Sequence, residues 1–454
     1  MKRFTSKLAI EGEIQIFNPL KFIWRNMGVR QFILERQLQQ MICEWEHEVE
    51  ENSGSLVSGK VKGERKNLLI IPSDPYLLTA STGDQAMISA IRSYWKERLP
   101  EAQFYIATAG EEADAAAKAA DLIPLQLLSK GKSLKDSIEE TLNLDLNTIV
   151  LMGADVLDGS YNPNFSGHLI MLADLLSRQG ANCFISGFSV SKKFHPTIQV
   201  IFGRINKDIV VNLRDPLSFE RFTSNVSRPA KLTADIAFLM EPMPGSILKK
   251  ISPWLDICRQ KGRAVIGVNC HPLLLELTDR SRVQIFIDAF TQLLVKLHRD
   301  EAVSFIMIDH DQRGDSSDHL CLKPIYQNLQ AQLGDDILYP TERMKAPEIK
   351  AFVKELDGII SGRMHLMIAA MGVGTPVFGI DYKDKMEGLL RLNNLPVNYL
   401  TNSSNIVHNL EKELARIRDF IHDLPSLKRQ LDANHETIIK RAQNNFSLEA
   451  EAAS

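Results

Sequence analysis

Residues 357–387 read DGIISGRMHLMIAAMGVGTPVFGIDYKDKME, and this stretch decides how the chain folds. A short apolar strand, Ile359 and Ile360, enters a tight turn at Ser361 and Gly362. The helix that follows is apolar all round from Leu366 to Met371, and a second strand begins at Val377. A helix without a polar face is a buried one, so the segment predicts a strand–helix–strand unit within a larger parallel sheet. Arg363 and His365 open that helix. Cations there oppose the roughly half positive charge that a helix N-terminus already carries. An anionic ligand removes the conflict, because free backbone N–H groups and the dipole both attract one. Lys383 and Lys385 follow the second strand, and they reach the same sheet edge if the two strands run parallel. Four cations at one helix mouth suit a small, multiply charged anion. The competing reading pairs Arg363 with an acidic neighbour and leaves His365 as a cap.

Moving outward, the same alternation of short apolar runs and amphipathic stretches begins near Asn67. Strands are expected at Leu68–Ile71, Phe104–Ala107, Ile149–Met152, Asn182–Ser186, Ile209–Leu213, Val265–Val268, Phe305–Ile308, Ile337–Tyr339, Gly358–Ile360 and Val377–Ile380. Helical patterns such as Asp84–Arg98, Ser166–Arg178, Val283–His298 and Pro347–Glu355 lie between them. Such alternation predicts parallel sheets with crossover helices, whose ligands bind beyond the carboxyl ends of the strands. Pro242, Pro244, Gly245 and Pro253 cluster in Glu241–Trp254, which places a hinge there. Four segments follow: an N-terminal helical extension and linker over 1–60, a first α/β domain over 61–245, a second over 255–400, and C-terminal helices over 401–454. Within the extension Arg30–Asn52 reads as a polar helix, followed by a Gly/Ser/Lys-rich link over Asn52–Lys66. The aromatic and basic run Phe17–Arg25 either meets a membrane or partner surface or packs on its own domain. Beyond Asn402 the chain is helical and polar to Asn445, then frays.

Bulk properties exclude several classes. The 454 residues are 44% hydrophobic and 24% charged, ordinary values for a globular protein of two domains. A net charge of -3 argues against nucleic-acid binding, which needs a basic field. Five scattered cysteines, without a CxxC pair or zinc spacing, read as buried thiols in a reducing compartment. With no secretory h-region and no apolar span near ~20 residues, a cytoplasmic location is expected, with at most peripheral contact with the membrane's inner face.

Other candidate site residues also sit where strands meet helices. In Asn212–Ser218 the strand ends at Arg214, while Asp215 suits an N-cap and Pro216 the first helical position. Arg214 is therefore the ligand candidate, unless it forms a surface ion pair. Gly83 permits close backbone approach, and Asp84 either caps the following helix or holds a sugar hydroxyl. Gly153, in the turn Met152–Asp155, could turn backbone N–H groups toward a ligand. Asp309 and His310, with Asp311, follow another strand and supply a base or a solvated turn. The P-loop, the GxSxG elbow and the glycine-rich dinucleotide fingerprint are absent from the sequence.

The segment SGRMHLMIAAMGVGTPVFGIDYKDK resembles the C-terminal signature of the polysaccharide pyruvyl transferase family. Upstream, TGDQAMISAI, MGADVLDG, LRDPLSFERF and LTADIAFLM resemble family segments in the right order, from about Asn67 to Leu390. Two departures stand out: Gly153–Ala154–Asp155 replaces a mostly glycine run, and Met364 replaces the commoner Leu. The added Asp155 carboxylate would repel an anion, so that turn is not expected to touch phosphate. The resemblance implies two Rossmann-like domains with parallel sheets facing across a cleft, similar to the glycosyltransferase-B arrangement. It also implies transfer of a pyruvyl group from phosphoenolpyruvate to two hydroxyls of a sugar, polysaccharide or lipid-linked oligosaccharide, forming a ketal and releasing phosphate. Arg214 and Arg363 would then bind the donor's carboxylate and phosphate bidentately, with Lys385 as a third contact. His365 would act as acid or base, or hydrogen-bond the phosphate. No cofactor or metal is expected. Rival readings are a nucleotide-sugar glycosyltransferase of the same build and a non-catalytic glycan-binding or scaffold member of the fold.

Overall fold

A computed structural model describes residues 29–52, 66–275, 280–382 and 384–448. Near-continuous apolar runs, the mark of strands buried on both faces, build two parallel sheets. The first contains β1 (Asn67–Ile71), β2 (Phe104–Ala107), β3 (Ile123–Leu125), β4 (Leu146–Leu151), β5 (Asn182–Phe188), β6 (Val210–Leu213) and β7 (Lys231–Leu232), in the order β3-β2-β1-β4-β5-β6-β7. The second contains β8 (Ala264–Asn269), β9 (Val303–Met307), β10 (Ile337–Leu338), β11 (Gly358–Ser361), β12 (Val377–Ile380) and β13 (Leu400–Thr401), in the order β10-β9-β8-β11-β12-β13. Both orders reverse direction beside their first strand, between β1 and β4 and between β8 and β11. A reversal of this kind opens a crevice at the carboxyl ends of the strands. Expected and observed strands coincide to within a few residues. β3, β7 and β13 are additional: each has two or three residues, and Pro124, Lys231 and Thr401 interrupt any apolar run. Pro124 is tolerated because β3 lies at a sheet edge, where a missing N–H costs no ladder bond.

The expected hinge over Glu241–Trp254 is too long. Only residues 241–245 are irregular, and a helix spans Ser246–Gln260 with Pro253 inside it, so the second lobe starts before the expected boundary at 255. Lys350, buried in the helix Ala346–Val353, donates to the carbonyls of Phe238 (2.9 Å) and Met240 (2.6 Å) and ties the second lobe to the end of the first. The N-terminal helix Val29–Asn52 buries Leu38, Ile42 and Trp45, and Trp45 Nε1 donates to Asp174 Oδ2 at 2.8 Å on the helix Pro163–Arg178. Phe17–Arg25 and most of the link up to Lys66 lie outside the described residues, as does Lys383. Among the described residues no helix is long and apolar enough to cross a membrane.

The C-terminal segment also differs from expectation. The helix Leu410–Gln443 is amphipathic, burying Ile417, Phe420, Leu424 and Leu427 on the second lobe. The turn Asn444–Phe446 after it is ordered, and the expected fraying from residue 449 on falls outside the described residues. The turn crosses back to the first lobe, where Phe446 packs on Tyr94, Trp95 and Phe184 with ring centroids 4.6, 5.5 and 6.1 Å away. Asn445, fully buried, accepts from Gly187 N (2.6 Å) and donates to the carbonyl of Ala234 (2.9 Å). An apolar contact between chain end and distant strand outweighs the polar composition of the tail. Phe446→Ala is expected to cost about 3–5 kcal/mol, the usual range for emptying a buried Phe site, read by chemical denaturation. A loss below ~1 kcal/mol would mean that the tail is not docked.

Candidate active site

A cavity of about 540 Å³ opens between the lobes, at the sheet ends where the strand orders reverse. Arg214, from the end of β6, lines it on one side; Arg363 and His365, from the turn after β11, line it on the other. The central sequence expectation, that these groups from separate lobes meet in one space, is met by the geometry.

Arg214 is 2% exposed. Its Nε donates to Ser189 Oγ at 2.8 Å and its Nη1 to Asp235 Oδ2 at 2.8 Å, while Nη2 has no hydrogen-bond partner among the described residues. The same Asp235 oxygen lies 3.5 Å from His365 Nε2, an ion-pair distance rather than a good hydrogen bond. Burial alone would raise the Asp235 carboxyl, but His365 and Arg214 outweigh it and hold the group well below the usual carboxylate range. Asp235 thus links basic side chains from two lobes, and sequence reasoning did not single it out. Its one signal was its place in LTADIAFLM.

Arg363 occupies the N-cap position of the helix Met364–Met371 and makes no side-chain cap bond; His365 lies in the first turn and is not the cap. The acidic pairing weighed in the sequence does occur. Arg363 Nε donates to Asp318 Oδ1 at 2.9 Å, Nη2 lies 2.7 Å from the same oxygen, and Nη1 lies 3.3 Å from Asp311 Oδ2. Asp311 in turn pairs with Arg313 at 2.7 Å, and Arg313 with Asp74 at 3.4 Å. The wall is therefore a chain of alternating charges and not the bare cationic mouth expected. Nη2 of Arg214, Nη1 of Arg363 and Nη1 of Arg313, the last two with only a long contact each, are guanidinium nitrogens left to a ligand.

The remaining predicted residues divide. Gly83 packs against His365: a Cβ there would lie 2.5 Å from Nδ1, so its role is to admit the ring and not to bind a ligand. Asp84 lines the cavity but does not cap its helix; it accepts a 2.5 Å bond from Ser73 Oγ, and burial raises its carboxyl. His310 also lines the cavity, and burial together with the charges of His365 and Arg363 brings its imidazole down to about 3, so it stays neutral. Asp309 does not line the cavity and instead accepts from Tyr339 Oη at 2.9 Å. Gly153 is a packing glycine: a Cβ would lie 2.2 Å from the Ser186 carbonyl, and its N–H is taken by Ser186 Oγ at 2.9 Å. Ala154 beside it adopts φ 49°, the left-handed region that the departure from glycine makes costly. Lys385 lines the cavity but pairs with Asp155 and donates to Tyr161 Oη at 2.9 Å, in place of the free anion contact expected. Among the described residues no group of three or more His, Cys, Asp or Glu side chains is placed to hold a metal ion.

A family model described as polysaccharide pyruvyl transferase matches residues 82–384. No curated protein matches the sequence. Among solved structures, a Listeria monocytogenes protein assigned provisionally as UDP-N-acetylglucosamine 2-epimerase superposes with a TM-score of 0.51 at 11% identity, covering 84% of this chain and 94% of that one. Another UDP-N-acetylglucosamine 2-epimerase gives 0.50 at 12% identity, with the same coverages. At such identities the likeness is one of fold: two parallel-sheet lobes in a glycosyltransferase-B-like arrangement.

Gly83→Ala isolates the placement of His365. Alanine favours the helix by about 0.5–1 kcal/mol, while its methyl displaces the ring. The expected result is an unchanged or higher melting temperature with turnover down about 10²-fold, the usual cost of a misplacement near 1 Å. Wild-type turnover would show that the ring's position is immaterial.

Proposed function

The chain belongs to the polysaccharide pyruvyl transferase family, and from that premise we propose that the cavity moves the pyruvyl group of phosphoenolpyruvate onto two hydroxyls of a sugar, closing a ketal and releasing phosphate. The observation that carries the reading is the convergence of Arg214 with Arg363 and His365 from opposite lobes on one cavity. Phosphoenolpyruvate presents a carboxylate and a phosphate on a flat frame. Arg214 Nη2, Arg363 Nη1 and the N-terminus of the helix Met364–Met371 offer donors for both groups. The aspartates behind each guanidinium fix its orientation, which is the larger part of what a binding fork supplies.

The proton count sets what else the site must do. Phosphoenolpyruvate gains one hydrogen at its methylene carbon, and the two acceptor hydroxyls lose one each; the second proton leaves with phosphate. One group must therefore give a proton to carbon while another takes one from oxygen. His365, with Nε2 3.5 Å from the Asp235 carboxylate, is assigned to protonate the methylene carbon. Carbon 2 then becomes electrophilic and accepts the first hydroxyl. The second hydroxyl displaces phosphate from the same carbon. The acceptor is a sugar, free or within a polysaccharide or lipid-linked precursor, whose diol can close a five- or six-membered ring. Work at the cytoplasmic face of the membrane fits such an acceptor.

Two experiments test this. Phosphoenolpyruvate should raise the melting temperature, by the equivalent of ~2.7 kcal/mol at a hundredfold excess over Kd, and nucleotide sugars should not; the opposite pattern would assign the cavity to glycosyl transfer, and no response to either would favour a non-catalytic role. In assays of phosphate release and acid-labile pyruvate on methyl glycosides, Arg363→Ala and His365→Ala are expected to lose at least about 10²-fold. Arg214→Lys keeps the charge but loses the planar fork that reaches Ser189, Asp235 and the donor from separate nitrogens, so its KM for phosphoenolpyruvate should rise. Normal kinetics in these variants would remove the residues from the mechanism.

A further inference from the structure

A second cavity of about 300 Å³ adjoins the first and shares three wall residues with it: Asp155, Tyr382 and Lys385. Its remaining wall is rich in hydroxyls and cations, among them Ser160, Ser191, Lys193 and Arg221. Ser189, which holds Arg214 Nε, also lines it, so the donor-binding arginine stands directly behind this pocket. Hydroxyl-lined polar surface with charged groups at fixed positions is what a sugar's own hydroxyls require. The larger cavity holds the residues assigned to phosphoenolpyruvate, and the smaller one has no part in that assignment.

We propose that the smaller pocket seats the acceptor sugar and that Lys385, in the wall between the two cavities, takes the proton of the attacking hydroxyl. The proposal rests on the pyruvyl-transfer reading and supplies the base that His365, acting as acid, leaves unfilled. In the step itself the acceptor O–H bond breaks, its electron pair forms the bond to carbon 2, and the proton passes to the neutral Lys385 amine. His365 simultaneously gives its proton to the methylene carbon. When the second hydroxyl displaces phosphate, its proton returns to His365 and the proton on Lys385 departs with the phosphate, so both groups return to their starting states.

The surroundings of Lys385 suit that task. Its side chain is 11% exposed and lies between the rings of Tyr161 and Tyr382, whose centroids are 5.2 and 5.9 Å from Nζ. The first lobe faces it with the carboxylate of Asp155 and the hydroxyl of Tyr161; its own loop contributes Tyr382 and Asp384, the latter engaged by Lys192 at 2.6 Å. Burial lowers the ammonium to about 7. A lysine in that range holds both protonation states at working pH.

The test compares wild type, Lys385→Arg and Ser191→Trp, using phosphoenolpyruvate with methyl glycosides that offer a 3,4- or 4,6-diol. Arginine keeps the positive charge but cannot act as a base. Lys385→Arg is expected to retain the thermal shift with phosphoenolpyruvate while kcat falls about 10²–10⁴-fold. In wild type kcat should rise with pH through about 7 as the amine loses its proton, and that limb should vanish in Lys385→Arg. Ser191→Trp fills the smaller pocket and should raise the acceptor KM at least tenfold, with the phosphoenolpyruvate shift kept. Lys385→Arg turning over within threefold of wild type on the same pH profile would overturn the base assignment, and an unchanged acceptor KM in Ser191→Trp would overturn the subsite. Wild type showing neither a phosphoenolpyruvate shift nor phosphate release would instead overturn the underlying pyruvyl-transfer reading.

Discussion

One buried negative charge organises this molecule. Asp235, 1% exposed, lies between the Arg214 guanidinium of its own lobe and the His365 imidazole of the other. A lone carboxylate at that depth would be expensive, and so would the buried Arg214 guanidinium without it. Together they form a site in which groups from both lobes hold the Asp235 carboxyl well below the usual carboxylate range. Asp235 can reach both because residues following β7 and residues following β11 meet where two doubly wound sheets face each other at their carboxyl ends.

The same logic extends across the cavity wall. Asp318 and Asp311 hold Arg363, Arg313 holds Asp311 and reaches Asp74, and Asp155 holds Lys385. A cleft lined by unpaired cations would repel itself when empty. One lined by paired charges is stable when empty, and it gives up long, weak contacts when a better anion arrives. The price is affinity, since the ligand competes with carboxylates already in place. The return is a guanidinium whose orientation is settled before the ligand binds.

What could be read from the sequence followed from local physics. The apolar helix after Gly362 had to be buried, Asp215 and Pro216 had to open a helix, and Asp215 does accept from Ser218 N at 2.8 Å. The turns carrying Arg214, Arg363 and His365 were therefore legible together with the sheets that aim them. Pairings between distant segments were not. Nothing near Gly83 announces that His365 will lie over it, and nothing near Gly153 announces the Ser186 carbonyl. Asp309 was misassigned because its partner, Tyr339 Oη, comes from a segment thirty residues further along the chain. The acids that tame the cavity's cations come from segments far along the chain, and the tail's return through Asn445 and Phe446 depends on partners in the opposite lobe.

The measurement that bears most directly on this account is a crystal structure of the full chain soaked with phosphoenolpyruvate. The account predicts one bound molecule in the interlobe cavity, with its anionic groups within hydrogen-bond distance of both Arg214 Nη2 and Arg363 Nη1, and its methylene carbon toward His365. A donor bound outside this cavity, or touching only one of the two lobes, would contradict it.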